Sequence, residues 1–178
     1  LQVTNAGGCS DNDSVVVTVA APPISDAGND TSICIGSVAQ LNGSGGILYA
    51  WSPSTGLSAT NISNPIASPA ITTTYYLTAG DGTCFSSTDS MIVVVNALPN
   101  ATVNAPPPNC PGSTNQLIAS GGTEYLWSPS LSLSADSVFN PVASPTITTT
   151  YSVVGTTNGC TSPAATITVN VSSSSSLT

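Results

Sequence analysis

The chain has 178 residues, of which eight are acidic and none is Lys, Arg or His. Without cationic side chains it cannot neutralise phosphate groups, which excludes nucleic-acid binding and polybasic docking to membranes. The missing imidazole and ammonium groups also exclude Ser/His and Cys/His nucleophile pairs, Lys Schiff bases and His-ligated metals. Because only carboxylates remain for acid–base chemistry, we expect that the chain is not an enzyme.

The residue pattern indicates an all-β protein. Short runs of Val, Ile, Thr and Ser alternate with Gly, Pro, Asn and Asp, which is typical of strands joined by turns. At 40% hydrophobic residues the chain is too apolar for the disordered class. No apolar run approaches the roughly 18 residues that a membrane helix needs, so we expect no membrane insertion. The chain begins at Leu1 without a leader-like segment, so we expect any secretion signal to lie outside this segment.

The sequence repeats itself without a gap. Cys34 recurs as Cys110 and Cys84 as Cys160, and 30 identities occur over 62 aligned positions. Proline-containing stretches fall between the repeats and predict extended, fairly stiff connections. The frame divides the chain into the C-terminal strands of a preceding repeat (1–20), a first full repeat (21–97), a second full repeat (98–171) and a Ser-rich linker (172–178).

Alternation of apolar and polar residues predicts about seven short strands in each 76-residue repeat. In the first full repeat they are expected near Gln40-Leu41, at Tyr49 to Trp51, from Ile62 to Ser68, from Thr72 to Ala79 and from Met91 to Val95. Strands of this length, separated by Gly and Pro, predict tandem immunoglobulin-like Greek-key β-sandwich repeats.

The two tryptophans are predicted to anchor two equivalent cores. Trp51 and Trp127 share a strand face with Tyr49 and Tyr125, so these rings could also serve as sugar-stacking platforms. A Trp on the third strand of a sandwich is more often buried, which favours the core. The expected core residues are Trp51, Leu41, Tyr75 and Val93 with their partners Trp127, Leu117, Tyr151 and Val169, while Thr168 and Asn170 face outward.

The five cysteines predict disulfides. The same spacing separates Cys34 from Cys84 and Cys110 from Cys160, and Cys9 corresponds to Cys84 in the repeat frame. We therefore predict bonds within each repeat, with Cys9 pairing outside the segment or staying free. Closing such a loop contributes about 4 kcal/mol by chain entropy. Metal binding is less favoured because Cys-x-x-Cys spacing is missing, and disulfides indicate an oxidising, extracellular setting.

The acidic residues are not shared between the two full repeats, which excludes a carboxylate pair for glycoside cleavage as part of the repeat framework. Asp26, Asp30 and Asp81 are the candidate calcium ligands, since loop carboxylates suit this ion and a bond from Cys34 to Cys84 would bring Asp30 and Asp81 to one end of the domain. Their irregular spacing favours solvated turn residues instead. We expect no cofactor, with calcium as the alternative.

The first full repeat carries a specific combination of motifs between its two cysteines: Trp51-Ser52-Pro53, Asn64-Pro65 and Thr72-Thr73-Thr74-Tyr75. In this it resembles the immunoglobulin-like and PKD-like tandem repeats of large gliding-motility-associated surface adhesins that Bacteroidota-type bacteria export by type IX secretion. The resemblance covers nearly the whole chain and implies a secreted, cell-surface array. Three Asp-Ser-Val or Asp-Ser-Met triplets also resemble the O-glycan acceptor motif of such bacteria and mark Ser14, Ser90 and Ser137 as candidate glycosylation sites.

These observations favour a structural function, as spacer or stalk repeats of a secreted cell-surface adhesin or extracellular filament. The alternatives are a carbohydrate- or calcium-dependent binding module and an accessory domain of an enzyme elsewhere on the chain. The expected partners are neighbouring repeats or neighbouring subunits of a fibre, with surface glycans as an alternative. Residues 1–20 supply only the last strands of a repeat and are predicted to need such a partner.

Overall fold

The structure is a computed structural model that describes residues 1–172. The predicted Ser-rich linker lies outside the described residues except for Ser172. Over the described range the regular secondary structure is β-strand alone, in sixteen short strands. The same range contains no helix that is long and apolar enough to cross a membrane.

The N-terminal segment forms a small hairpin of two strands, β1 (Gln2–Thr4) and β2 (Ser10–Asn12). Main-chain bonds between Leu1 and Asp13 extend it by one pair. The following apolar residues of 15–19, aligned by the repeat with strand residues 91–95, form no strand and are exposed. No strand of the described structure lies beside them, so their apolar face stays open.

Residues 25–96 form the first domain, whose strands make two layers. The strands are β3 (Thr31–Cys34), β4 (Ala39–Gln40), β5 (Leu48–Ser52), β6 (Ile66–Ala67), β7 (Thr73–Gly80) and β8 (Asp89–Asn96). One layer is a four-stranded sheet in the order β3-β8-β7-β5, in which β3 runs parallel to β8 and the other pairs are antiparallel. The other layer is the antiparallel pair of β4 and β6.

Residues 101–171 form the second domain on the same plan. Its strands are β9 (Thr102–Val103), β10 (Asn115–Gln116), β11 (Ala119–Ser120), β12 (Glu124–Ser128), β13 (Val142–Ala143), β14 (Thr149–Thr157), β15 (Cys160–Thr161) and β16 (Ala165–Val169). Strand β14 pairs with β12 on one side and with β15 and β16 on the other. The smaller pairs are β10 with β13 and β9 with β11.

Each domain has its own hydrophobic core between the two layers. The eight predicted core residues are all buried, and Thr168 and Asn170 are exposed as expected. The immunoglobulin-like all-β fold is therefore confirmed. The strand β3 was not predicted, because residues 31–34 lack the long apolar alternation that indicates a strand. Its backbone pairs with β8 at the edge of the sheet.

The buried polar atoms of the two cores are satisfied in the same way. The indole N–H of Trp51 donates to the carbonyl of Ile62 at 2.9 Å, and that of Trp127 donates to the carbonyl of Val138 at 2.8 Å. The hydroxyl of Tyr49 donates to the carbonyl of a nearby glycine at 2.6 Å, as does that of Tyr125. These equivalent bonds show that the repeat preserves polar contacts as well as apolar packing.

Candidate functional site at the domain junction

The cysteines occupy two kinds of position. Cys34 ends β3, and Cys110 occupies the equivalent place in the second domain; we call these two the strand-end cysteines. Cys84 lies in the connection between β7 and β8, and Cys160 is the first residue of β15, directly after the turn from β14. Cys9 lies in the N-terminal hairpin, and we call these three the hairpin cysteines. The two kinds of position lie at opposite ends of each domain.

The structure contains one disulfide among its described residues, and it joins Cys34 to Cys160. Their Cα atoms are 5.5 Å apart and their sequence separation is 126 residues. Cys84 is free and half-buried, and Cys110 is free and exposed. The predicted bonds from Cys34 to Cys84 and from Cys110 to Cys160 are therefore wrong.

Parallel pairing of β3 with β8 is the physical reason for this correction. It places Cys34 beside Asn96, at the C-terminal end of β8, whereas Cys84 precedes Asp89 at the other end. Eight strand residues span about 25 Å, and a disulfide requires Cα atoms within about 7 Å. A strand-end cysteine therefore cannot reach the hairpin cysteine of its own domain, but it lies next to the hairpin of the domain that follows.

The junction consequently has two covalent connections. One is the chain itself, which leaves β8 at Asn96 and enters β9 at Thr102. The other is the disulfide, which leaves the first domain from β3, the strand adjacent to β8. Two connections from neighbouring strands restrict rotation of one domain about the other more than a single linker does.

Turn chemistry positions the hairpin cysteines. In the second domain, Asn158 and Gly159 both have positive φ, at 50° and 74°, and form the two-residue turn that brings Cys160 opposite Thr157. In the first domain the carboxylate of Asp81 accepts bonds from the N–H groups of Thr83 and Cys84 at 2.8 and 2.7 Å. The sequence alignment showed neither feature, because the two hairpins use different residues at equivalent positions.

The three candidate calcium ligands each accept a different main-chain N–H group. Asp26 accepts the N–H of Gly28, Asp30 accepts that of Ile92 on β8, and Asp81 closes the hairpin turn. The expected meeting of Asp30 with Asp81 depended on the bond from Cys34 to Cys84, which is not formed. Residues 1–172 contain no group of three or more acidic, His or Cys side chains placed to hold a metal ion. All three carboxylates are bonded to the main chain, and calcium binding stays the alternative that the titration described below tests.

Hydrogen bonds from the main chain lower the pKa of two carboxyl groups in the first domain. The N–H groups of Cys84 and Thr83 hold the pKa of Asp81 below its ordinary value. The N–H groups of Ala27 and Ser90 do the same for the pKa of Asp89, whose carboxylate accepts the Ala27 N–H at 2.7 Å. Both groups thus stabilise loops of the first domain in their charged form.

The tryptophan rings are placed in the cores and cannot serve as sugar platforms. Trp51 is 4% exposed and Trp127 is 2% exposed, and both indole N–H groups are bonded inside their domains. A stacking platform needs an exposed ring face. This confirms the predicted structural role of both residues.

The three candidate glycosylation sites are on the surface. Ser14, Ser90 and Ser137 are all exposed. Ser90 lies on β8, whereas Ser14 and Ser137 lie outside the strands. Exposure makes these hydroxyls accessible, and their modification stays a prediction.

A shallow groove on the second domain was not predicted from sequence. Its volume is about 520 Å³, and its walls include Pro129, Leu131, Pro145 and Ile147. No titratable or nucleophilic side chain other than Ser and Thr hydroxyls lines it. Such a surface offers apolar contact but no acid–base chemistry.

Comparison with known proteins supports the fold. No protein-family model matches the chain, and no curated protein matches its sequence. Extracellular domains 3–5 of Drosophila OTK superpose with a TM-score of 0.50 at 8% identity, covering 96% of this chain and 69% of that one. Domains A168–A170 of titin give a TM-score of 0.50 at 11% identity, covering 97% of this chain and 73% of that one. At these identities the likeness concerns fold alone: the chain is built as a tandem of immunoglobulin-like domains.

Proposed function

We propose that this chain is a load-bearing spacer segment of a secreted cell-surface adhesin or extracellular filament. The observation that carries the proposal is the disulfide between Cys34 and Cys160, which ties one domain to the next. A bond across a junction ties the two domains together and controls the connection between them. Holding domains in line at a set distance is the property that a spacer requires.

The disulfide also changes how tension travels along the chain. When the two ends are pulled, force passes from Cys34 directly to Cys160 through the bond. Residues 35–159, which include most of both cores, lie inside the closed loop and carry no tension. The segment therefore resists extension even when a domain unfolds.

Composition supports an exposed, extracellular setting. The disulfide is of the kind that persists in oxidising compartments. The absence of Lys and Arg leaves no cleavage site for trypsin-like proteases. In the first domain the carboxylates of Asp30, Asp81 and Asp89 each accept a different main-chain N–H group.

Force spectroscopy on the 178-residue chain tests the load-bearing role. The oxidised chain is expected to release contour length only from residues outside the loop, so Cys34→Ser should release 125 further residues, about 44 nm. Cys84→Ser is the matched control, because it changes a free cysteine and should leave the extension unaltered. Equal extension of the oxidised wild-type chain and the Cys34→Ser variant would overturn the proposal.

Calcium titration tests the binding alternative. The geometry of Asp26, Asp30 and Asp81 predicts no heat of Ca²⁺ binding by calorimetry and no rise in melting temperature with added Ca²⁺. Saturable stabilisation by Ca²⁺ that is lost in Asp81→Asn would favour a binding module instead.

A further inference from the structure

Two free cysteines occupy positions that are bonded elsewhere in the same chain. In the repeat frame Cys110 is equivalent to Cys34, and Cys84 is equivalent to Cys160. Cys34 and Cys160 form the disulfide, whereas Cys84 and Cys110 are free. The bond from Cys34 to Cys160 thus shows that a strand-end cysteine can form a disulfide with the hairpin cysteine of the next domain.

The positions of Cys84 and Cys110 along the two domains explain why these cysteines do not bond each other. Cys84 lies in the hairpin at the end of the first domain that faces away from the second. Cys110 follows Asn109, which pairs in parallel with Val171 at the far end of the second domain. The two thiols therefore lie at opposite ends of the two-domain unit.

The N-terminal hairpin supplies a third, independent copy of the hairpin position. Its pair Thr4 with Ser10 corresponds to the pair Gly80 with Phe85 in the first domain and to Thr156 with Thr161 in the second. The side chain of Asn5 accepts the N–H groups of Gly7 and Cys9, as Asp81 accepts those of Thr83 and Cys84. Cys9 is thus held in the same kind of turn as Cys84. This favours a hairpin of this type in each repeat, at the end that faces away from the repeat that follows.

We propose that Cys84 and Cys110 are the bonding positions for further repeats of the same kind, one at each end of this segment. Cys110 bonds the hairpin cysteine of the repeat that follows, and Cys84 bonds the strand-end cysteine of the repeat that precedes. The inference rests on the proposed function as part of a tandem array. It goes beyond that function because every repeat becomes covalently tied to both neighbours.

The bond forms by ordinary thiol–disulfide exchange with a small disulfide oxidant such as glutathione disulfide. One cysteine loses its proton and attacks the oxidant, which releases one glutathione thiolate and leaves a mixed disulfide. The second cysteine, also deprotonated, then displaces the other glutathione. Two protein thiols are oxidised, one glutathione disulfide is reduced to two thiols, and both protons end on glutathione.

Successive bonds of this type interlock. The loop closed between Cys34 and Cys160 already contains Cys110, the strand-end cysteine that opens the next loop, so neighbouring loops overlap. A pulled array transmits force along the backbone from a hairpin cysteine to the next strand-end cysteine, as from Cys84 to Cys110, and then crosses a disulfide. Two such force paths alternate along the array, one through Cys84 and Cys110 and the other through Cys34 and Cys160. Each path bears tension through the backbone only over one short segment in every two repeats. The array becomes nearly inextensible.

A three-repeat chain tests the inference. Residues 1–172 are followed by a second copy of residues 97–172, because Ser172 is equivalent to Asn96 and the seam then copies the existing junction. Cys9→Ser, Cys34→Ser and Cys160→Ser, with Cys110→Ser in the added copy, leave three thiols: Cys84, Cys110 and the added copy's Cys160. After refolding in glutathione buffer, free thiols are alkylated and the chain is cleaved with chymotrypsin.

The expected product joins Cys110 to the added copy's Cys160, with Cys84 fully alkylated. A bond that includes Cys84, or alkylation of all three thiols, overturns the inference. The control adds Cys160→Ser in the added copy and should show Cys84 and Cys110 both alkylated.

A second measurement uses the 178-residue chain itself, so that the inference does not depend on the fused chain folding. Cys9→Ser/Cys84→Ser is mixed with Cys9→Ser/Cys110→Ser under the same oxidant. With equal amounts of the two variants, more disulfide-linked mixed dimer should form than both homodimers together. An amount of mixed dimer equal to that of the two homodimers together would mean random pairing and would overturn the inference. Failure here would leave the force result for Cys34 with Cys160 intact, so it is distinguishable from failure of the proposed function.

Discussion

The two full domains have equivalent cores but build the sheet edge beside the core differently. In the first domain Thr31 to Cys34 pairs in parallel with β8 over four residues. In the second domain the equivalent residues 107–110 begin with Pro107 and Pro108, and only the bridge from Asn109 to Val171 remains. Proline has no N–H to donate, so the ladder cannot form there. The strand-end cysteine is nevertheless delivered to the same end of both domains.

The side-chain hydrogen bonds at the sheet edge also differ between the two domains. Asp30 and Asp89 hold the edge of the first domain by accepting the N–H groups of Ile92 and Ala27. Their counterparts in the second domain are Pro106 and Ala165, which cannot accept such bonds through their side chains. There Asn104 accepts the N–H of Ile118 beside the paired strands β9 and β11. The comparison teaches that the repeat constrains its core and junction, while its edge tolerates different solutions.

The sharpest test of the shared core is a pair of equivalent substitutions. Leu41 and Leu117 are both fully buried, and each main-chain N–H donates to the carbonyl of an equivalent proline at 2.9 Å. Leu41→Ala and Leu117→Ala should each lower the free energy of unfolding of their own domain by about 3 kcal/mol.

Tryptophan fluorescence can follow each domain separately, because each contains one Trp. Trp127→Phe leaves Trp51 to report on the first domain, and Trp51→Phe leaves Trp127 to report on the second. Losses that differ by more than a factor of two between the domains would show that the cores are not equivalent.

A smaller loss of stability is expected when either of two equivalent glycines is replaced. Gly45 and Gly121 have φ of 103° and 91°, and a Cβ atom there would lie 1.9 Å from the carbonyl oxygen of Ile24 and 2.0 Å from that of Asn100. Gly45→Ala and Gly121→Ala should each cost at least about 2 kcal/mol, from the positive φ and the clash together.

Gly36→Ala separates the two causes of that loss. Gly36 also has a positive φ, of 83°, but a Cβ atom there would meet no atom within 4 Å. Denaturant unfolding should therefore show a smaller loss for Gly36→Ala than for Gly45→Ala. An equal loss would mean that the clash at Gly45 is relieved by backbone movement.

Sequence periodicity was sufficient to predict the residues of the two cores but not to predict which cysteines bond. The apolar alternation of β8 and β16 identifies the buried face, because burial is a local property of a strand. The cysteine pairing is a property of the whole array, and a repeated sequence fixes a separation only to within a multiple of its period. The spacing from Cys34 to Cys84 and that from Cys34 to Cys160 differ by one period, so the equal spacing in both copies fits either.

The choice between those two separations required the direction of β3. Its parallel pairing with β8 depends on tertiary contacts, and Thr31 to Cys34 lacks the apolar alternation that would have predicted a strand. The main-chain contacts of Asp81 and Asp89 were hidden for a related reason. Their acceptor role is visible only when the main-chain N–H groups that they face are known.

The edge of the first domain should lose stability when its carboxylate is removed. Asp89→Ala deletes the acceptor of the Ala27 N–H and should cost the first domain about 1 kcal/mol. The second domain has Ala165 at the equivalent position and provides the matched background. The measurement is urea unfolding in the Trp127→Phe chain, and a loss seen instead through Trp127 in the Trp51→Phe chain would contradict the assignment.

The smallest expected difference between the domains is their response to acid. The pKa values of Asp81 and Asp89 are lowered in the folded chain, because main-chain N–H groups bond their charged forms. A carboxyl group with a lowered folded pKa stabilises the fold above its unfolded pKa, near 3.9, and this contribution disappears as the pH falls through the folded value. The equivalent residues of the second domain, Thr157 and Ala165, do not titrate in this range. As the pH falls below about 4, the unfolding free energy of the first domain should therefore fall more steeply than that of the second, as reported by the two single-Trp chains. Asp89→Asn should flatten the slope of the first domain, and parallel slopes in the unmodified domains would show that these turns do not distinguish them.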